Sequence, residues 1–552
     1  MNETRFDAMV IGSGAAGSFA AQELTAQGLK VVLVEAGPEI GPKDLDPDKA
    51  KEPPDPINFW ERARATVKGQ HIQSRAAFFS ESMAHLFVND RQNNYTTPAD
   101  APFHWIRGRQ AGGRLHTFGR VLMRWSDDDF RLHSRSGDGV DWPVSYDEIA
   151  PFYSEVERTL GVYGNPDGVP TQPDGDFAGP AKITPAEESF KLRVEGKWPG
   201  RRVTSWRYMA PDPSRIAKPM QKALASGNLT VLYNQIASRI LTDAETGLAT
   251  GAELIDRHDK SRRTIRAAAV VLCASPIESL RLLLNSASTE HPAGLANGSG
   301  LLGRYFMDQL PCIASGEYPD MTGFSGDDSL PPDPFYAPLS GVFIPRFVGE
   351  NGYATNRFDY QISVGRKPVA ASAPARLDFF GFGMMMPSPD NHITINARRR
   401  DAFGIPIAHI TCRMSEADRA LLKQQIATLE EIVTGVGGRL EFVGSPLGLK
   451  ETGRGAYPDL PLFYRLMFRL MFKRTVTMGS AIHESGGARM GEDPKTSVLN
   501  RWNQSWDVKN LFVTDASAFP TCGVAGTTLT VMALTLRACR HLGEELRAGR
   551  LH

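Results

Sequence analysis

The chain is poor in cysteine and contains no long hydrophobic run. Its five cysteines (Cys273, Cys312, Cys412, Cys522 and Cys539) are scattered, odd in number and form no CxxC pair. That argues against a disulfide framework or a thiolate metal site and fits a reducing compartment. No stretch reaches the roughly 18 apolar residues of a membrane span. The N-terminal MNETRFDAMVIG has neither the basic region nor the apolar core of a secretory signal. Net charge is absent too: 62 Lys and Arg balance 62 Asp and Glu, so nothing draws the whole molecule to nucleic acid or anionic membranes. HExxH, P-loop, GxSxG and clustered Cys/His patterns are all missing, which leaves metal hydrolysis, phosphoryl transfer and serine hydrolysis without a motif. The expectation is a soluble, cytoplasmic, metal-free protein. At 552 residues it is long enough for roughly two to four core units.

What is present concentrates at the two ends. Residues 6–11 read as a short buried strand, 15–27 as an alanine-rich helix and 30–35 as a second apolar strand, which together make a βαβ unit. Gly12-Ser13-Gly14-Ala15-Ala16-Gly17 is GxGxxG between strand and helix, the context that gives this motif force. Gly12 permits the tight turn, Gly14 lets the backbone approach a pyrophosphate, and Gly17 lets helix and strand pack closely. The helix N-terminus offers unpaired N–H groups to phosphates. Glu35, followed by Ala36, ends the second strand where a carboxylate can accept from ribose hydroxyls. This unit predicts a dinucleotide without separating NAD from FAD; Glu35 repels a 2′-phosphate, which disfavours NADP.

Between the ends, 38–56 reads as a surface loop and 103–130, rich in Gly and Arg, as a loop folding back on the nucleotide. Residues 143–160 read as an amphipathic helix begun by Ser145 and Asp147. Residues 161–200 read as a linker or lid, and 229–241 as a strand entering a second sheet. A buried strand (266–274) leads directly into a helix (276–285). Alternating runs from about 310 to 450 predict an antiparallel, substrate-facing sheet. In LFYRLMFRLMFKR (462–474), Arg465, Arg469 and Lys473 recur every fourth residue. That pattern suits a helix buried on three sides with snorkelling arginines, a lid over an apolar channel, a partner surface, or contact with a membrane surface.

At the far end, NLFVTD (510–515) is a strand ending in a carboxylate, followed by ASAFP and the helix TLTVMALTLRACRHL. With GSGAAG and Glu35, RGRQAGGRLHTFGR (107–120), VVLCASPIESLRLLLNS (270–286) and everything from Ile482 onward, this block resembles the glucose–methanol–choline oxidoreductases. The resemblance covers most of the chain and, in look, is nearest to bacterial sugar and glycoside dehydrogenases and the pyranose oxidase group. It implies a Rossmann-like FAD-binding domain with a mainly antiparallel-sheet substrate domain. The FAD domain would be discontinuous (1–160, 225–308 and 475–552), and the substrate domain would take 161–224 and 309–474. The resemblance places Gly112 and Gly113 near the flavin ring, with Arg109 in the same cofactor loop. It places Ile236 at the adenine, Asp515 and Ala516 near the ribityl chain and pyrophosphate, and Thr528 and Leu529 near the flavin pyrimidine. Where some relatives attach FAD covalently to a histidine, this chain has Thr117, with His116 one residue earlier. Non-covalent FAD is therefore expected.

His483, in HESGGARMG, matches the family's catalytic histidine. Hydride transfer from an alcohol carbon to flavin N5 needs a base for the hydroxyl proton, and a neutral imidazole suits that role. The family pairs this histidine with a second His or Asn. Aligned on the shared Leu-Thr, that position here is Gly526, within AGTTLT. Thr527, one residue on, is the candidate helper, since its hydroxyl can donate or accept. The expected activity is FAD-dependent oxidation of a sugar or glycoside hydroxyl, with oxygen, a quinone or a redox protein as acceptor. Two alternatives stand beside it: a hydrophobic or aromatic alcohol as substrate, and a non-redox, lyase-like or inactive flavoprotein.

Overall fold

The computed structural model describes residues 5–45, 57–210, 212, 214–323 and 340–551. Part of the expected 38–56 loop lies outside them.

The opening unit folds as read. Phe6–Ile11 and Val31–Val34 pair in parallel, with the helix Ala15–Ala26 between them. Both strands are apolar and their central residues are fully buried, as parallel strands require. On the other side, Phe6–Ile11 pairs in parallel with the second half of Arg262–Leu272. The terminal strand Leu511–Val513 adds in parallel to that same half. The two ends of the chain thus meet on one shared strand. The first half of Arg262–Leu272 turns outward and pairs antiparallel with Ala249–Asp256, which pairs with Gln235–Thr242.

A second sheet is wholly antiparallel. Its order runs Gly448–Glu451, Arg439–Ser445, Leu310–Thr322, Pro374–Gly383, Phe358–Val364, Val342–Ile344, Thr204–Ser205. The 20-residue helix Glu416–Gly435 covers one face, begun by a capping box between Ser415 and Asp418. The other face is turned to the cavity described below.

Three expectations change. Residues 229–241 are two strands: Leu229–Leu232 joins the first sheet beside Val31–Val34, and the chain turns at Asn234 (φ 57°) before Gln235–Thr242. Asparagine tolerates that left-handed conformation better than most residues. The 161–200 linker contains a packed helix, Pro185–Lys197, capped by Thr184 and Glu187 with Phe190 and Val194 fully buried. The Gly, Pro and Asp content of its flanks had masked it. The helix Leu462–Thr475 is not buried on three sides. Leu462, Phe463, Leu466 and Leu470 are exposed, Trp60 stacks on Phe463, and Phe468 packs on Phe442 and Tyr457. Arg469 pairs with Glu451, and Arg465 donates to the Arg454 carbonyl. Among the described residues no helix is long and apolar enough to cross a membrane. The five cysteines are free and buried.

Candidate active site

One cavity of about 740 Å³ runs from the glycine turn to the antiparallel sheet. At the turn its wall is backbone. Gly12 has φ 101°, and a Cβ there would lie 2.5 Å from the Cys273 carbonyl oxygen. A Cβ on Gly17 would lie 1.8 Å from the Gly12 oxygen, so Gly17 sits beneath the turn and not on the cavity. A Cβ on Gly14 would have only the Gly112 oxygen within reach, at 3.9 Å; Gly14 keeps the space in front of the helix clear. The helix begins at Gly14 with no capping side chain, so its first N–H groups face the cavity unpaired. Thr528–Arg547 likewise begins at the cavity without a side-chain cap.

Of the residues expected to hold the cofactor, Gly12, Gly14, Ala15, Ala16, Glu35, Ala36, Arg109, Gly113, Ile236, Asp515, Ala516 and Thr528 border this cavity. Gly112 instead lines a small recess beside His116, and Leu529 is fully buried. The Glu35 carboxylate accepts from Ser13 N (3.1 Å), Ser13 Oγ (2.5 Å) and Gly37 N (2.8 Å); burial pushes its pKa up. Asp515 caps the turn Ala516–Ala518 through Ser517 N (3.0 Å) and accepts from Ser279 Oγ. Thr117 borders the cavity, whereas His116 is turned away and bonded through Nε2 to the Ala111 carbonyl at 2.9 Å.

An ionic cluster on the same wall joins Arg109 to residues that the motif reading did not single out. Arg109 and Arg281 bind Glu278 at 2.8 and 3.3 Å. Burial works to raise the pKa of Glu278, but Arg109, Arg281 and Arg107 outweigh it and hold it at about 2. Arg107 lies over the Trp105 ring at 3.2 Å and keeps its buried Nε and Nη1 without hydrogen-bond partners. A glycine cradle, unpaired helix N–H groups and a buried guanidinium with spare donors together fit a pyrophosphate-bearing dinucleotide.

Farther along the cavity stands His483. Its Nδ1 is 2.6 Å from Gln309 Oε1. Gln309 Nε2 donates to the carbonyls of Cys522, Gly523 and Ala525 at 3.2, 3.2 and 3.0 Å. Those three acceptors fix the amide, so its oxygen must face the histidine. Nδ1 therefore carries the ring proton, and Nε2 is left with a free lone pair. Burial, then the positive charge of Arg114, lowers the His483 pKa to about 4, which keeps the ring neutral. The backbone is held as well: Asp308 accepts from His483 N (3.1 Å) and Gly479 N (2.7 Å). Burial and the neighbouring Glu484 raise the Asp308 pKa to about 7. Ile482, β-branched, sits at φ 61° just before the histidine, a conformation that such residues adopt only under constraint. Phe382 closes one side, its ring 4.8 Å from the imidazole.

Gly526 faces this base. A Cβ there would meet one atom within 4 Å, His483 Nε2 at 3.9 Å. The position that lacks the expected partner thus points at the free lone pair across open space. Thr527 borders the same cavity. Gln309 and Asp308 were not anticipated. The available signal was the Asp308-Gln309 pair inside the apolar run FMDQLPCI, both fully buried.

A nucleotide cradle that opens onto a histidine held as a neutral base is the arrangement of a flavin-dependent oxidoreductase. Residues 7–302 match the FAD binding domain family and 387–535 match GMC oxidoreductase. The chain belongs to the glucose–methanol–choline oxidoreductases, and it is an FAD-dependent enzyme acting on CH–OH groups. It is 27% identical to 2-methyl-1,2-propanediol dehydrogenase of Mycolicibacterium austroafricanum, over 96% of this chain and 94% of that one. It is 25% identical to the fructose dehydrogenase large subunit of Gluconobacter japonicus, over 99% and 100%. Pyridoxine 4-oxidase from Mesorbium loti shares the fold, with a TM-score of 0.60 at 19% identity over 97% and 98% of the two chains.

Proposed function

We propose that the protein oxidises a hydroxyl group of a sugar or glycoside, with His483 taking the hydroxyl proton. The observation that carries this reading is the Gln309 amide, tied to three carbonyls and so forcing a free lone pair onto His483 Nε2. FAD, when bound, supplies the acceptor for the hydride that leaves the same carbon. The proton goes to Nε2, two electrons leave with the hydride, and the alcohol becomes a carbonyl. Thr527, beside Gly526, is assigned as a hydrogen-bonding group for the substrate oxygen. Arg107 and the unpaired N–H groups of the first helix hold the pyrophosphate. With Thr117 in place of a histidine on the cavity, the cofactor is held without a covalent link. Support for a sugar comes from the full-length likeness to fructose dehydrogenase and from a far wall that mixes Gln361, Ser363, Lys367 and Asp378 with phenylalanines.

The test is anaerobic mixing of the flavin-loaded protein with methyl β-D-glucopyranoside, cellobiose or benzyl alcohol while the flavin absorbance is followed. Bleaching by the glycosides is expected. Bleaching by benzyl alcohol alone would replace the sugar with a hydrophobic alcohol, and no bleaching at all would overturn the redox reading. His483→Ala should slow bleaching by at least about 100-fold, the low end for a general base, with the flavin still bound.

A further inference from the structure

The far wall of the cavity repeats a pattern that strand register makes exact across three strands. Asp378 lies between Ser315 and Ser363. Two residues along, Phe380 lies between Ile313 and Gln361, and two further on, Phe382 lies between Pro311 and Asp359. Residues two apart share a face of a strand, so Asp378, Phe380 and Phe382 all look into the cavity, which they border. Phe382 packs on the base. Asp378, four residues from Phe382, stands about 13 Å from that phenylalanine along the strand.

Asp378 is the carboxylate of these rows that borders the cavity; Asp359, beside Phe382, does not. Oδ1 of Asp378 accepts from Ser315 Oγ at 2.8 Å and from Lys367 Nζ at 3.0 Å. Its Oδ2 is buried with no hydrogen-bond partner, on a residue only 8% exposed. A buried carboxylate oxygen left without a donor is costly, and native proteins fill such positions. The surrounding charges already cancel. Lys367 is paired with Asp378, and Arg376 binds Glu441 at 2.6 and 2.9 Å. The free oxygen therefore calls for a neutral donor, a hydroxyl, and not for an ammonium group or an anion.

We propose that the row Ser315–Asp378–Ser363 is a second recognition site, which binds a hydroxyl of a sugar unit beyond the one being oxidised. The reacting ring lies at Phe382 and His483, the link between units crosses the apolar Ile313–Phe380 belt, and the second ring donates to the Asp378 carboxylate. Molecules of two rings are then bound more tightly than molecules of one. This assignment rests on the sugar reading above, but its test does not depend on turnover.

The experiment measures binding of methyl β-D-glucopyranoside and of cellobiose to the flavin-loaded protein by calorimetry, with flavin bleaching recorded separately. The unmodified protein should bind the two-ring probe more tightly. Asp378→Asn keeps the side-chain shape, and Ser363→Ala leaves the bonds of Asp378 untouched. Each should lower the ratio of two-ring to one-ring affinity, Asp378→Asn by roughly 10- to 100-fold, as expected for a hydrogen bond to a charged group. An unmodified protein that binds cellobiose no more tightly than the monoglycoside overturns the proposal. So does a ratio that neither variant changes. If the ratio falls as expected but neither probe bleaches the flavin, the second site stands and the oxidation reading fails.

Discussion

At the glycine turn the cavity wall is main chain, whereas at the antiparallel sheet it is side chains drawn from strands far apart in sequence. The first end recognises its ligand with N–H groups and the absence of Cβ atoms; the second does so with carboxylate, amide, hydroxyl and phenyl groups. Backbone recognition tolerates almost any side chain that points elsewhere, but it admits few substitutions where the backbone itself must come close. Side-chain recognition has the opposite character. A single residue can be exchanged without disturbing the strand, and the chemistry changes with it.

The sharpest way to break this contrast lies at the turn. Gly17→Ala would put a Cβ 1.8 Å from the Gly12 oxygen, a collision between two backbone segments that no rotamer relieves. Gly14→Ala would place one 3.9 Å from its nearest neighbour, which the protein without cofactor can accommodate. Gly17→Ala should therefore lose bound flavin and fold stability together, the latter by about 1–3 kcal/mol or more as for overpacking. Gly14→Ala should keep its unfolding temperature in the flavin-free state and lose affinity for FAD. Equal losses of stability in the two variants would show that the turn is not the rigid frame described above.

The same contrast explains what was legible in the sequence. GxGxxG with Glu35 shows itself because a backbone cradle imposes a fixed spacing on one continuous segment. His483 and the Gly526 gap showed themselves through resemblance to a family whose motifs are local strings. Gln309 did not, because its role arises from a contact between 309, 483 and the 522–525 carbonyls, and no local pattern encodes that triangle. Asp378, Ser315 and Ser363 are adjacent only through register, a property of strand pairing. The alternation that revealed the sheet could say which residues share a face, but not which residues of different strands stand side by side. The helix 185–197 escaped for another reason: its signal is a cap, Thr184 with Glu187, set among turn-forming residues.

At the base the contrast can be sharpened through pH. In the protein as it stands, His483 is held at about 4 by burial and Arg114, and the neutral ring is the active form. Protonation of His483 should therefore depress kcat/KM only as pH falls toward 4, leaving the profile level in this respect from about pH 5 upward. Gln309→Glu would set a carboxylate against Nδ1. That stabilises the imidazolium, raises the histidine pKa and moves the acid limb upward. It also removes the donor from the Cys522, Gly523 and Ala525 carbonyls. At neutral pH the loss of tautomer and loop positioning should cost about 10- to 100-fold in the reductive step, less than loss of His483 itself. An unshifted acid limb in Gln309→Glu would remove Gln309 from its positioning role.

The smallest expected effect is also the most diagnostic, because it adds a group where the wall has none. Gly526 leaves open space in front of His483 Nε2, with the would-be Cβ at 3.9 Å and no positive φ to strain a side chain. Asparagine can therefore be seated there without moving backbone. Its amide would supply a second hydrogen bond to the substrate oxygen as the proton departs. One positioned donor is worth roughly 2–4 kcal/mol at a transition state where none replaces it. Thr527 already stands one residue away, so the gain for Gly526→Asn should be nearer tenfold, and larger when Thr527 is also changed to Val. If the two substitutions instead act additively, Thr527 does not share the work of the missing partner. If Asn slows the reaction, the open space beside Nε2 belongs to the substrate, and a bulky group on the carbinol carbon is what the glycine admits.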